Sequence, residues 1–224
     1  MRAPTKSNGL EVLKERQINF SSILDVGVFV GTPELIEAFP DKRHILFEPV
    51  AEFEAEIARN YANVNYRLVR AAVSESSGST ALETTSIVGG DSITHSSIGS
   101  GSHGAQRQVD MTSIDDFLDR NDETGPYLLK IDVDGFELQV LAGARRHVQD
   151  IPVIVVEVPR FELVPRMSAV AEMGYTLFDF FEPCYYDSAF WQADACFIRN
   201  DVFREKFLNI NQNFVPEKFE IFRG

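Results

Sequence analysis

The sequence predicts an α/β fold with a mostly parallel sheet and helices on both of its faces. Two observations lead there. Short apolar runs rich in β-branched residues end in an acidic residue or a glycine. Each is followed by a stretch with apolar residues at helical spacing, so the order reads strand, helix, strand, helix. The chain has 224 residues, which fits one large domain better than two small ones. Such a domain buries roughly 70% of the surface of its unfolded chain and needs no disulfide staples. No linker or repeat divides it. The core is expected over about 22–200, with an extension over 201–224.

Ser22 to Val26 is the first strand, and it turns through Gly27-Val28-Phe29-Val30-Gly31. Thr32 is suited to cap the next helix, Pro33 to its first position and Glu34 to its positive end, with Pro40 closing it. His44 to Phe47 is the second strand and stops at Glu48-Pro49. Val50, Phe53 and Ile57 follow at helical spacing. Val64 to Val73 reads as one third strand. Thr84 to Gln108, rich in Ser, Gly and Thr and without period, reads as a mobile loop. Order resumes at Val109, and Ser113-Ile114-Asp115-Asp116 has the form of a capping box. Tyr127 to Ile131 is the fourth strand, followed by a helix whose buried face carries Phe136, Val140 and Ala144. Val153 to Val158 is a β-branched run typical of a strand buried on both faces. A helix around Ser168 to Met173 ends at Gly174. Tyr175 to Phe181 and Ala193 to Arg199 are two strands joined by an aromatic loop.

The formal net charge of −13 disfavours phosphate backbones and anionic lipid surfaces, so neither nucleic acid nor membrane is expected as a partner. A small molecule or a neutral glycan is the default. No apolar stretch of ~18 residues is present to span a bilayer, and no basic start precedes an apolar run. Only two cysteines occur, Cys184 and Cys196, which points to reduced thiols and a cytoplasmic location.

The chemistry concentrates at strand ends. Asp25-Val26-Gly27-Val28-Phe29-Val30-Gly31 places two glycines behind an acid, where a ligand would need close approach to the backbone. Glu48 ends the second strand 23 residues after Asp25, the place from which a carboxylate accepts bonds from both hydroxyls of a ribose. NAD and S-adenosylmethionine both carry that ribose. A solvated glutamate ahead of Pro49 is the plain alternative.

A third segment separates the two cofactors. Leu128-Leu129-Lys130-Ile131-Asp132-Val133-Asp134-Gly135-Phe136-Glu137-Leu138-Gln139-Val140-Leu141-Ala142-Gly143-Ala144 resembles the hallmark of the FkbM family of methyltransferases, in which Lys-Ile-Asp-Val-Glu-Gly precedes a Glu and then Val-Leu-Lys-Gly-Ala. The resemblance extends to Asp25 through Gly31, Phe47-Glu48-Pro49, Ser96-Ser97, Ile114-Asp115, Val156-Glu157 and Asp194. It implies a Rossmann-like class I methyltransferase fold, with a seven-stranded, mostly parallel sheet ending in an antiparallel hairpin. It implies S-adenosylmethionine as cofactor and methyl transfer to a hydroxyl of a sugar, glycan or small natural product. Two departures stand out. This chain has Gly-Val-Phe where the family usually shows Gly-Ala-Asn, and Asp134 replaces the usual Glu or Gln.

The residues expected to hold the cofactor are Asp25, Gly27, Val28, Gly31, Glu48, Pro49, Ala71 and Asp132. Asp132 is also the first candidate for catalysis, as general base, as an anchor for the acceptor hydroxyl, or as a metal ligand. Asp134 and Glu157 lie at neighbouring strand ends and would complete an oxygen-rich set suited to Mg²⁺. The competing expectation is that Lys130 pairs with one of these acids and no metal binds. Glu157 and His95 are the other candidate catalysts. His95, like His103, lies in the Ser/Gly-rich segment, and exposed histidines on a loop are the simpler reading. His44 and His147 look structural. Tyr185, Tyr186 and Trp191, with Phe190, either line the acceptor pocket beside Asp134 or cover the end of the core. Phe203, Phe207, Phe214, Phe219 and Phe222 must pack on their own domain or across a homodimer. The alternatives to a methyltransferase are an NAD-dependent oxidoreductase, which would need a hydride-transfer pair that is not recognisable here, and a non-catalytic binding protein on the same scaffold.

Overall fold

The computed structural model describes residues 3–85, 95–98 and 105–222. The strands, in chain order, are β1 (Ser22–Val26), β2 (Arg43–Phe47), β3 (Tyr66–Val69), β4 (Ala72–Val73), β5 (Gly78–Thr85), β6 (His95–Ile98), β7 (Ala105–Thr112), β8 (Tyr127–Ile131), β9 (Val153–Pro159), β10 (Tyr175–Tyr186) and β11 (Ala189–Arg199). The α-helices are α1 (Lys6–Glu15), α2 (Pro33–Ala38), α3 (Glu54–Asn60), α4 (Ile114–Arg120), α5 (Glu137–Ala142), α6 (Leu163–Glu172) and α7 (Asn200–Lys206).

Seven strands form the main sheet in the order β10-β11-β9-β8-β1-β2-β3. All neighbours are parallel except β11, which runs antiparallel to both β9 and β10. Side chains alternate across this sheet with period two. Leu24, Val26, Leu129, Ile131, Ile154 and Val156 pack on the face covered by α4, α5 and α6. Ile23, Leu128, Val153 and Val155 pack on the other face, with Leu10 and Leu13 of α1 and Leu35 of α2. Burial on both faces is why β1, β8 and β9 read as nearly continuous apolar runs. Among the described residues no helix is long and apolar enough to cross a membrane.

Four expectations need correction. The third strand is two strands, because Ala71 N–H bonds back to the Val69 carbonyl (2.9 Å) and this tight turn carries the chain out of the main sheet. The segment read as a mobile loop from Thr84 contains strand: β4-β7-β5-β6 make a second, four-stranded sheet, with β5 and β7 antiparallel from Gly78↔Met111 to Thr84↔Ala105. The aromatic loop between the last two strands is itself strand, paired to Tyr186↔Ala189. Only Asp187 and Ser188 turn, both at positive φ (50° and 62°), the geometry of a tight two-residue hairpin. The helix before Gly174 begins at Leu163, well ahead of Ser168.

Local chemistry explains the ends. Ser113 caps α4, its hydroxyl accepting from Asp116 N–H (3.0 Å), while Asp116 turns to Ser77 and Arg146 instead of closing the box. Gly174 ends α6 at φ +95°. Helix α1, which sequence periodicity did not reveal, is capped by Thr5 and lies close on β10: a Cβ on Gly9 would stand 2.0 Å from the Phe181 ring. The phenylalanines of the extension divide. Phe203 and Phe207 pack on the main core with Phe178, whereas Phe214, Phe219 and Phe222 are more than half exposed.

Candidate functional site

The order of the main sheet reverses at β1. β2 and β3 lie on one side, β8 and β9 on the other. A crevice opens outside the carboxyl ends of parallel strands at such a point. Here a cavity of about 260 Å³ lies there, lined by residues that include Gly27, Glu48, Pro49, Ala71, Asp132, Asp134 and Glu157. Leu82, Ala72 and Val73 from the second sheet also reach it. That sheet therefore supplies one wall, which is why Leu82 of β5 and Val73 of β4 are deeply buried.

Gly27 lines the cavity, and a further constraint acts on it. Gly27 has φ +77°, and a Cβ there would stand 1.7 Å from the carbonyl oxygen of Asp132. The space is filled by the neighbouring strand end, which is tied to β1 by Asp132 N–H bonding to the Val26 carbonyl (3.1 Å). Gly27 thus lets two strand ends approach each other at the cavity wall. Gly31 (φ +143°) lies against Tyr61 and Asn60, and Val28 packs in a small core with Leu46, Ile57 and Tyr61. Neither lines the cavity.

Asp25 does not line it either. The side chain is fully buried and accepts from the Thr32 hydroxyl (2.8 Å) and from the Tyr61 hydroxyl (3.4 Å). Thr32 therefore does not cap α2, although it occupies the N-cap position. Lys130 stands 3.2 Å from Asp25 and 3.5 Å from Asp132 and donates to the Gly27 carbonyl (2.8 Å). Burial works against its charge, but Asp25, Asp132 and Asp194 outweigh that and hold the ammonium well above its ordinary range. Of the expected partners of Lys130, Asp132 is the one it pairs with; Asp25 is a second partner. This pairing locks the β1 and β8 ends from below.

Glu48 is buried and on the wall. Its two oxygens accept from Phe29 N–H (2.8 Å) and Val50 N–H (2.9 Å). Burial nonetheless pushes the carboxyl up to about 7. Beside it Phe29 and Phe53 meet edge to face, ring centres 4.6 Å apart. Phe29 is one of the two departures from the family pattern, and its φ of +55° belongs to the loop that Glu48 holds.

Glu157, at the end of β9, accepts from the Gln192 amide (2.5 Å). Burial, and then the charges of Asp132, Glu137, Asp194 and Asp134, push its carboxyl up to about 8. Asp134 (φ +51°) and Gly135 (φ +108°) form the turn after β8. That turn is held by Glu137, which accepts from Gly135 N–H (3.1 Å) and pairs with Arg166 (2.7 Å), both side chains almost wholly buried. Sequence reasoning quoted Glu137 without a role and passed over Arg166. The pair spans 29 positions, and no local pattern announces it. Among the described residues no group of three or more His, Cys, Asp or Glu side chains is placed to hold a metal ion.

Of the remaining candidates, Tyr185, Tyr186 and Trp191 lie at the exposed end of the β10–β11 hairpin, outside the cavity wall. His95 begins β6, opposite Thr85, and His103 falls outside the described residues. His44 is buried with Nε2 2.9 Å from the Phe39 carbonyl, and His147 stands 3.1 Å from Asp115. Both positions are structural.

A family model described as the methyltransferase FkbM domain matches residues 25–177. Among solved structures, the FkbM methyltransferase of Methylobacillus flagellatus KT is similar at 16% identity, with a TM-score of 0.51. The match covers 79% of this chain and 43% of that one. This chain thus spans less than half the length of that relative. A ribosomal protein L11 methylase from Lactobacillus delbrueckii subsp. bulgaricus matches at 11% identity and TM-score 0.49, covering 86% of this chain and 77% of that one. A precorrin-6y C5,15-methyltransferase from Geobacter metallireducens GS-15 matches at 10% and 0.47, covering 85% and 86%. No curated protein matches the sequence.

Proposed function

The chain belongs to the FkbM methyltransferase family, and from that premise we propose that it transfers a methyl group from S-adenosylmethionine to a hydroxyl of a small molecule or glycan. The observation that carries this reading is Glu48. It is a buried acid on the wall of a cavity at the point where the strand order reverses.

The residues fit an adenosyl cofactor. Each Glu48 oxygen takes one backbone bond and keeps a lone pair for a ribose hydroxyl. Pro49, Ala71 and the Phe29–Phe53 pair offer apolar surface close by. At about 260 Å³ the cavity is at the small end of ligand pockets. Its acidic side carries Asp132, Asp134 and Glu157. Bound there, S-adenosylmethionine supplies an electrophilic methyl on a sulfonium.

The chain's own residues do the rest. Asp132, steadied by Lys130, orients the acceptor hydroxyl. Glu157, with its carboxyl near 8, takes the proton of that hydroxyl as the oxygen attacks, a pKa well matched to a general base near neutral pH. Gln192 occupies one Glu157 oxygen and leaves the other to face the acceptor. An NAD-dependent reaction loses its support to the family assignment.

The test is incubation with isotopically labelled S-adenosylmethionine and a panel of hydroxyl, amine and carboxylate acceptors. Label should enter hydroxyl compounds, and Asp132→Ala should remove that transfer while cofactor binding persists. Preferred methylation of amines or carboxylates overturns the O-specific reading.

A further inference from the structure

We propose that the methyl acceptor carries an anionic group, a carboxylate or a phosphate, which Arg160 binds on an aromatic platform beside the cavity. The inference rests on the methyl-transfer reading and names the acceptor class for the same site.

Arg160 follows directly on β9, and its N–H bonds to the Trp191 carbonyl (2.8 Å), fixing the end of β9 against β11. Its guanidinium lies 4.6 Å from the centre of the Phe161 ring and 5.6 Å from that of Trp191. Other arginines of this acidic chain, Arg43, Arg67, Arg146, Arg166 and Arg199, hold carboxylates. Among the described residues Arg160 holds none. A guanidinium stacked on aromatic faces keeps its N–H donors along its edge, free for a planar two-point contact with an anion.

The platform stands at the same end of β9 as Glu157. Gln192, next to Trp191, donates to Glu157, and Pro159 is the register partner of Gln192. Two residues of β9, Val158 and Pro159, separate Glu157 from Arg160, so three steps at the usual rise of a strand span about 10 Å, a distance one small acceptor can bridge. Phe161 (76% exposed) and Tyr186 (74%) leave uncovered ring surface around the cation. Aromatic faces suit the C–H face of a sugar, and the unpaired cation selects an anionic one.

Trp191 is the only tryptophan of the chain, so intrinsic fluorescence reports on this platform without any turnover. The full chain is titrated with methyl glucuronide, glucose 6-phosphate and methyl glucoside, and the same sugars are followed by calorimetry. Saturable binding of either anionic sugar, at least about tenfold tighter than the glucoside, is expected, from one charge-assisted contact. The preferred anionic sugar separates carboxylate from phosphate. Arg160→Gln should remove that preference and leave S-adenosylmethionine binding unchanged. Equal binding of all three sugars, no binding of either anionic sugar by both methods, or retained preference in Arg160→Gln overturns the proposal. Failure of S-adenosylmethionine to bind would instead overturn the methyl-transfer reading.

Discussion

Glu157→Gln should make the protein more stable at alkaline pH and nearly inactive. The wild-type carboxyl is pushed from 4.5 up to about 8 by burial and by the surrounding acids. For an acid this shift means that the fold prefers the protonated form. Below pH 4.5 both folded and unfolded chains carry the proton, and no penalty exists. Between 4.5 and 8 the unfolded chain ionises first, so stability falls as pH rises. Above 8 the full penalty is present. Each pKa unit is about 1.4 kcal/mol, so the penalty reaches about 5 kcal/mol at most. Glutamine keeps an acceptor oxygen for the Gln192 amide (2.5 Å) and cannot ionise. Urea unfolding of both proteins from pH 4.5 to 9 should give equal stability at the acid end and a gap of several kcal/mol at pH 9. On a thermal scan that gap corresponds to roughly 10 °C. Methyl transfer by the wild type should rise towards pH 8, and the variant should lose it. A stability gap that does not change with pH would refute the assignment of a raised carboxyl. Full turnover in the variant would refute the role of Glu157 as general base.

Two further perturbations probe the frame beneath the site. Lys130→Met leaves Asp25, fully buried, without its cation and should cost about 3–5 kcal/mol in urea unfolding. A loss below about 1 kcal/mol would mean that the pair contributes little. Gly27→Ala must place a Cβ 1.7 Å from the Asp132 carbonyl at φ +77°. It should destabilise by about 2 kcal/mol or more and weaken S-adenosylmethionine binding, both readable from thermal shifts with and without ligand.

The parallel part of the fold was legible because its strands are buried on both faces and stop abruptly. β8 has the bounds read from sequence, Tyr127–Ile131, since the apolar run ends at Asp132. The second sheet was not legible. β5 and β7 carry Gly-Ser-Thr-Ala-Leu-Glu-Thr-Thr and Ala-Gln-Arg-Gln-Val-Asp-Met-Thr. Among the described side chains of these two strands only Leu82 and Glu83 are buried, so their ladder of backbone bonds leaves scant apolar alternation to find. Helix α1 was missed because its buried residues are Gly9, Leu10 and Leu13, too few to show a period.

The site was legible as a set of strand ends, which is why Glu48, Asp132 and Glu157 share one cavity. What sequence does not show is the direction in which each side chain points. Asp25 ends the same kind of strand, yet it turns inward to Thr32, Tyr61 and Lys130. The aromatic residues near the last turn were open to two places, the acceptor pocket or the end of the core. They stand beside the cavity because the hairpin extends to Tyr186 and Ala189 before turning.

Calorimetric titration of the purified protein with S-adenosylmethionine, S-adenosylhomocysteine and NAD, repeated on Glu48→Gln, tests the cofactor reading most directly. Micromolar binding of both sulfur compounds, no binding of NAD, and a loss of about tenfold or more in Glu48→Gln are expected, since a ribose hydroxyl bound to a carboxylate is worth about 1.5–3 kcal/mol. Binding of NAD in preference, or S-adenosylmethionine binding that Glu48→Gln leaves unchanged, would contradict it.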